Sequence, residues 1–348
     1  MIYLLLACGS EIVSADKNIA TDEEVVTTSE ETDETNSEVD GETSTDSEIT
    51  TETGTDTSTA TDTTTQTESE TETETEEETL ADLVDFSQLG NYAVVSSTES
   101  TNVTNCPGMS YHVYAPENLS NPPVMVLGHG FARGGSKVVE WAEHFASWGV
   151  EVLVPMDLCH YNFLGVDHEM NGQNMMELAA HHGAQDPIYG GHSAGGLAAL
   201  IAASMDSNTL GLIGLDATDT EGVPTVPDFI GQSYAPQLTA PAFGLIAEPS
   251  SCNAENNGIT LLGLVPDSYM LRIKSSDHCD FEYPTDGGCE FLCLNDNTTF
   301  DDSEIRPMIR SLSTAALMHL TGMHADGEAY WFSPVLDELV ATGLVQEL

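Results

Sequence analysis

The sequence predicts an α/β domain with a mostly parallel central sheet of about eight strands and helices on both faces. Three observations carry that reading: a sharp partition of charge, short apolar runs alternating with helical periodicity, and one glycine-rich strand–turn–helix. The chain has 348 residues, with 58 Asp or Glu against 7 Lys or Arg. Residues 15–79 hold 23 of those acids and one base, Lys17, and are dominated by Thr, Glu, Ser and Asp. So polar a segment cannot bury enough apolar surface to offset its ordering entropy, and it is expected to be a disordered tether. Residues 80–348 keep 34 acids and six bases, a net charge of −28. They are long enough for one large α/β domain with a full core. Six bases can hardly supply a phosphate-binding surface, which excludes nucleic acid as a partner. No apolar run approaches the ~18–20 residues of a membrane span.

From about Leu80 the alternation of apolar runs and helical spacing marks βαβ units. Strands are expected over residues 92–96, 110–114, 124–127, 150–154, 188–190, 212–215, 242–247 and 270–274, the last six forming the parallel core. A helix over 136–148 places Val138, Trp141, Phe145 and Trp148 three and four apart, with Ser136 as its N-cap. Further helices are expected over 171–182, 194–205, 306–320 and 335–345. There is no internal repeat.

Residues 1–8, MIYLLLAC, resemble the lipobox of bacterial lipoproteins, whose cysteine is lipidated. The apolar run is short and no base precedes it, whereas a signal peptide has ~7–15 apolar residues after a positive start. The resemblance implies a lipid anchor on Cys8, residues 9–79 as the tether, and residues 80–348 as an exported domain at the cell surface, in the periplasm or secreted. Six cysteines remain in that domain: Cys106, Cys159, Cys252, Cys279, Cys289 and Cys293. An even set in an exported protein suggests disulfides, with 15 possible pairings. Zinc is disfavoured, because there is no CxxC and Cys289-x-x-x-Cys293 lacks a matching pair of histidines.

The sharpest signal is Gly190-Gly191-His192-Ser193-Ala194-Gly195-Gly196, a G-x-S-x-G between an apolar strand and an Ala/Leu-rich helix. A serine on such a turn projects its Oγ from the end of the sheet, and the flanking glycines admit close backbone approach. The helix that follows aims free N–H groups at a developing oxyanion. A nucleophilic serine needs an acid and a base, in chain order Ser, Asp/Glu, His. The base is expected after the last core strand, where Ser275-Ser276-Asp277-His278 makes His278 the candidate. The acid ends a strand: Asp216 after residues 212–215 or Glu248 after 242–247, between which the residues alone do not choose, with Asp219 a nearby third. Gly128-His129-Gly130-Phe131-Ala132 follows an earlier strand, so the amides of Phe131 and Ala194 are the candidate oxyanion donors. His129 is assigned a structural role. His160 and His168 belong to a loop expected to line the pocket. Met170, Met175 and Met176 read either as pocket lining or as plain core, core being favoured.

GHSAGG, GLDATD, SSDHCDF and GCEFLCLND…RPMIRSL together resemble the chlorophyllase branch of the α/β-hydrolases. HGFARGG and HFASWGVEVLVP are similar also to platelet-activating-factor acetylhydrolases and bacterial polyester hydrolases. The resemblance covers roughly residues 90–320. It implies the α/β-hydrolase fold, a carboxylesterase using Ser193, His278 and Asp216 with Glu248 in reserve, and no metal or organic cofactor. The chain departs from plant chlorophyllases at Ala194, where they carry a basic residue, so an ester is implied but not chlorophyll. The expected partner is a small-molecule or polymeric ester, a cutinase-like polyester being one alternative, and no protein partner is implied. The domain's negative charge leads to an expected preference for neutral over anionic esters. An alternative of another class is a surface binding protein on an inactive hydrolase scaffold.

Overall fold

The computed structural model describes residues 83–162, 165–222, 226–293 and 302–348. The Cys8 segment and the acidic tether lie outside the described residues. The domain opens with an antiparallel hairpin, β1 (Val94–Val103) and β2 (Cys106–Pro116), both longer than predicted. The parallel core follows: β3 (Val124–Gly128), β4 (Glu151–Pro155), β7 (Ile188–His192), β8 (Gly211–Leu215), β9 (Ala242–Ile246) and β10 (Ser268–Ile273). A short hairpin, β5 (Tyr161–Asn162) and β6 (Gly165–Val166), interrupts the series outside the main sheet. A last strand, β11 (Val345–Glu347), pairs antiparallel with β10. The main sheet thus has nine strands in the order β1-β2-β4-β3-β7-β8-β9-β10-β11, one more than expected.

The six predicted core strands all pair in parallel register. Their near-continuous apolar sequences follow from cover on both faces. Successive side chains alternate between faces, so Met125 and Leu127 enter one core and Val126 the other. The first core is closed by α1 (Val139–Ser147) and α6 (Asp302–Thr321). The second is closed by α3 (Ala194–Met205), against which α2 (His168–His182) packs. Met175 is fully buried there and Met176 packs against the same core, which settles those two as core.

Two helix predictions are corrected. Ser136 caps nothing: it sits in a 3-10 turn (Gly135–Lys137), and α1 starts after Val138. The terminal helix, α7 (Val335–Ala341), stops before Val345, because Gly343 takes a positive φ of 76° and turns the chain back to the sheet edge. Among the described residues no helix is long and apolar enough to cross a membrane.

Candidate active site

Ser193 stands between β7 and α3 at φ 56°, ψ −126°, a conformation that costs a non-glycine residue roughly 1–3 kcal/mol. The bend is held by packing that only glycine permits. A Cβ on Gly191 would lie 2.5 Å from the backbone of Gly195, and one on Gly195 would lie 2.5 Å from that of Gly128. The Ser193 N–H donates to Leu215 O at 3.1 Å, and Ser193 O accepts from Thr218 at 3.3 Å. The serine is therefore fastened to the end of β8, which also carries Asp216.

Asp216 terminates β8 at φ 45° and is 1% exposed. Its Oδ1 accepts from the Ala247 amide at 2.9 Å. Its Oδ2 accepts from Asn253 Nδ2 at 3.1 Å and lies 2.6 Å from His278 Nδ1. That short contact assigns the proton to Nδ1, leaving Nε2 free to act as a base. Glu248 is engaged elsewhere: Lys274 Nζ lies 2.9 Å from one oxygen and Arg272 Nε 3.8 Å from the other. Asp219 accepts through Oδ1 from Thr220 and Gly231 amides rather than from His278. Of the three candidate acids, only Asp216 meets the imidazole.

His278 begins a 3-10 turn (His278–Phe281) capped by Asp277, whose carboxylate accepts from Cys279 and Asp280 amides. Phe281 is buried in the first core, and its carbonyl accepts from Trp141 Nε1 at 2.9 Å. The carbonyl of His278 accepts from His192 Nε2 at 3.0 Å, and the two imidazoles lie 4.5 Å apart. His192 immediately precedes Ser193, so this bond joins the Ser193 turn to the His278 turn. Complete burial holds the His192 pKa well below its ordinary value, so the ring is neutral and Nε2 carries the proton. Neither Ser193 Oγ nor His278 Nε2 has a hydrogen-bond partner among the described residues, so the direct Ser193–His278 bond is not made in this structure. Such bonds are often long until substrate binds.

The amides of Phe131 and Ala194 have no acceptor among the described residues, and both residues line the cleft that holds Ser193. His129 is fixed behind that loop. Its Nε2 accepts from the Leu158 amide at 3.0 Å, so Nδ1 carries the proton and donates to Gly130 O at 2.9 Å. Burial lowers its pKa, in keeping with a neutral structural ring. Arg133 grips the buried Glu282 with two bonds, at 2.6 and 2.9 Å, and reaches Asp286 at 2.6 Å. The candidate oxyanion loop is thereby tied to the chain that follows His278.

Three disulfides, Cys106–Cys159, Cys252–Cys293 and Cys279–Cys289, select one pairing of the 15. The last two are clustered beside the His278 turn and the Asn253 loop. The sulfurs of Cys279, Cys289 and Cys293 approach one another closely, but each is committed to a disulfide, which leaves no thiolate for a metal.

The cleft is lined by the apolar Phe131, Val166 and Ala254 and by the polar or charged Thr218, Asp219, Thr220 and Glu221. His168 lines it, as expected, whereas His160 and Met170 do not. Sequence reasoning missed three contributors: Asn253, His192 as a bridge, and Arg133 as a clamp. None has a local signal, since each acts on residues far away in the chain. Neither a family model nor a curated protein matches the chain.

Proposed function

We propose that this chain is a serine hydrolase of carboxylic esters, built on an α/β-hydrolase fold and acting through Ser193, His278 and Asp216. The observation that carries the reading is the 2.6 Å Asp216–His278 contact beside a strained serine on a strand–turn–helix. In this mechanism His278 Nε2 takes the proton of Ser193 Oγ as the oxygen attacks the ester carbonyl. Asp216 keeps the imidazole in the competent tautomer and stabilises the imidazolium. The amides of Phe131 and Ala194 hydrogen-bond the tetrahedral oxyanion, an interaction worth roughly 3–4 kcal/mol per donor. Collapse expels the alcohol, protonated by His278, and leaves an acyl-Ser193. Water activated by the same base then frees the acid.

A relation to the chlorophyllase-like branch belongs to this proposal, and the pairing of Asp216 rather than Glu248 with His278 supports it, since Asp216 is the acid that the resemblance implies. Export also belongs to it, since three disulfides suit an oxidising compartment. Hydrolysis of a short-chain p-nitrophenyl ester tests the reading. Wild-type turnover that falls to background in Ser193→Ala is expected; hydrolysis that survives the substitution would overturn it.

A further inference from the structure

Four polar side chains that line the cleft are spent or idle in an unequal way. Thr218 Oγ1 donates to Asp216 O at 3.1 Å and Thr220 Oγ1 to Pro227 O at 2.7 Å, so both hydroxyl protons serve the backbone. Asp219 takes its backbone donors on Oδ1 alone, and its buried Oδ2 has no partner. Glu221 stands exposed at the rim. His168 is only 5% exposed and neither ring nitrogen has a partner among the described residues. Burial holds its pKa down to about 4, so near neutral pH it is no cation. Among the described residues no Lys or Arg lines the cleft. Four bases are committed elsewhere, Arg133 and Lys137 to Asp286 and Arg272 and Lys274 to Glu248.

Apart from the two amides beside Ser193 and the single N–H of neutral His168, the cleft therefore offers hydrogen-bond acceptors and negative charge. That is a paradox for a site that must stabilise an oxyanion. The Asp219 carboxylate, next to the residue whose amide anchors Ser193, is held by backbone amides on one oxygen and its pKa is raised by burial; when ionised it raises the energy of the developing charge. The paradox disappears if the substrate carries its own positive charge. We propose that the Ser193 cleft is built for carboxylic esters bearing a protonated amine, with Asp219 and Glu221 as its counter-charges and His168 as a neutral acceptor. This rests on the hydrolase reading above and narrows it from carboxylic esters in general to cationic ones, in place of the neutral esters expected from the sequence. An ammonium seated there lies beside the Asp219 and Glu221 side chains and offsets their field at the reacting carbonyl. The net charge of −28 over residues 80–348 also draws cations toward the cleft. The amine could belong to the acyl half or to the alcohol half, because the acceptors are the same for both.

Two isosteric pairs separate those sources. One is p-nitrophenyl 6-aminohexanoate against p-nitrophenyl heptanoate; the other is 2-(dimethylamino)ethyl acetate against 3-methylbutyl acetate. At low ionic strength the cationic member of at least one pair is expected to have the higher kcat/KM by about tenfold, the scale of one charged hydrogen bond. Glu221→Gln is expected to shrink that ratio by about threefold and Asp219→Asn by more. Because Asp219 also holds its loop, Glu221→Gln decides the matter if Asp219→Asn does not fold. Equal rates within both pairs would overturn the proposal while leaving the esterase intact. So would a cationic preference unmoved by either substitution, which would belong to the general field of the domain. Failure of wild type on all four esters would instead remove the hydrolase reading itself.

Discussion

Asp216 is surrounded by donors from three different segments, the Ala247 amide, Asn253 and His278, and its role can be weighed bond by bond. Asp216→Asn leaves the shape but favours the wrong imidazole tautomer, so kcat on the best ester is expected to drop by about 10⁴. Glu248→Gln removes only half-exposed ion pairs with Lys274 and Arg272 and should leave kcat within about twofold. If the glutamate change is the damaging one, the assignment of the acid is wrong. Asn253→Ala removes one hydrogen bond to the carboxylate and three that hold its own loop; a loss of about tenfold or more in kcat is expected. Steady-state kinetics on the three variants would read these effects together. Two of these residues were legible beforehand, since acids at strand ends are visible in sequence. Choosing between them was not, because Asp216 and Glu248 differ only in which neighbours the fold brings up.

Among the elements, the His278 turn depends on attachments rather than on intrinsic stability, as a four-residue 3-10 turn must. Phe281 anchors it in the core, Asp277 caps it and Cys279–Cys289 closes a short loop behind it. Phe281→Ala is expected to cost about 3–5 kcal/mol, measurable by urea unfolding. Replacing Cys279 and Cys289 together by serine should lower the unfolding free energy by about 2–3 kcal/mol and activity with it. Activity and stability unchanged in that double variant would show that the bridge does not support the turn. The strands and long helices around this turn were readable from apolar periodicity. The short hairpin β5–β6 and the edge strand β11 were not, since two- and three-residue strands carry no period and exist only where a partner edge is offered.

For the whole molecule, buried neutral histidines set the response to acid. Burial lowers the pKa of His129, His144, His168 and His192, with His144 and His168 near 4. Below the ordinary value of about 6.5 the unfolded chain takes up protons that the folded chain refuses. Stability present above that pH is therefore lost as pH falls toward 4, on the order of 3 kcal/mol each for His144 and His168. The urea midpoint is expected to drop steeply between pH 6.5 and 4, and less steeply in His144→Gln. A midpoint flat across that window would contradict this.

The linear sequence was sufficient for the polar tract before residue 80, the six-stranded parallel core, the serine on its turn and the histidine 85 residues later. Those features rest on local composition and spacing, which determine burial period and backbone freedom without reference to distant chain. The tertiary structure alone decided which acid meets His278, which cysteines pair, and that His192 and Arg133 join the loops around the cleft. Hydrogen bonds and disulfides act over a few ångströms, and only the folded chain brings residues 10 to 149 positions apart within that range.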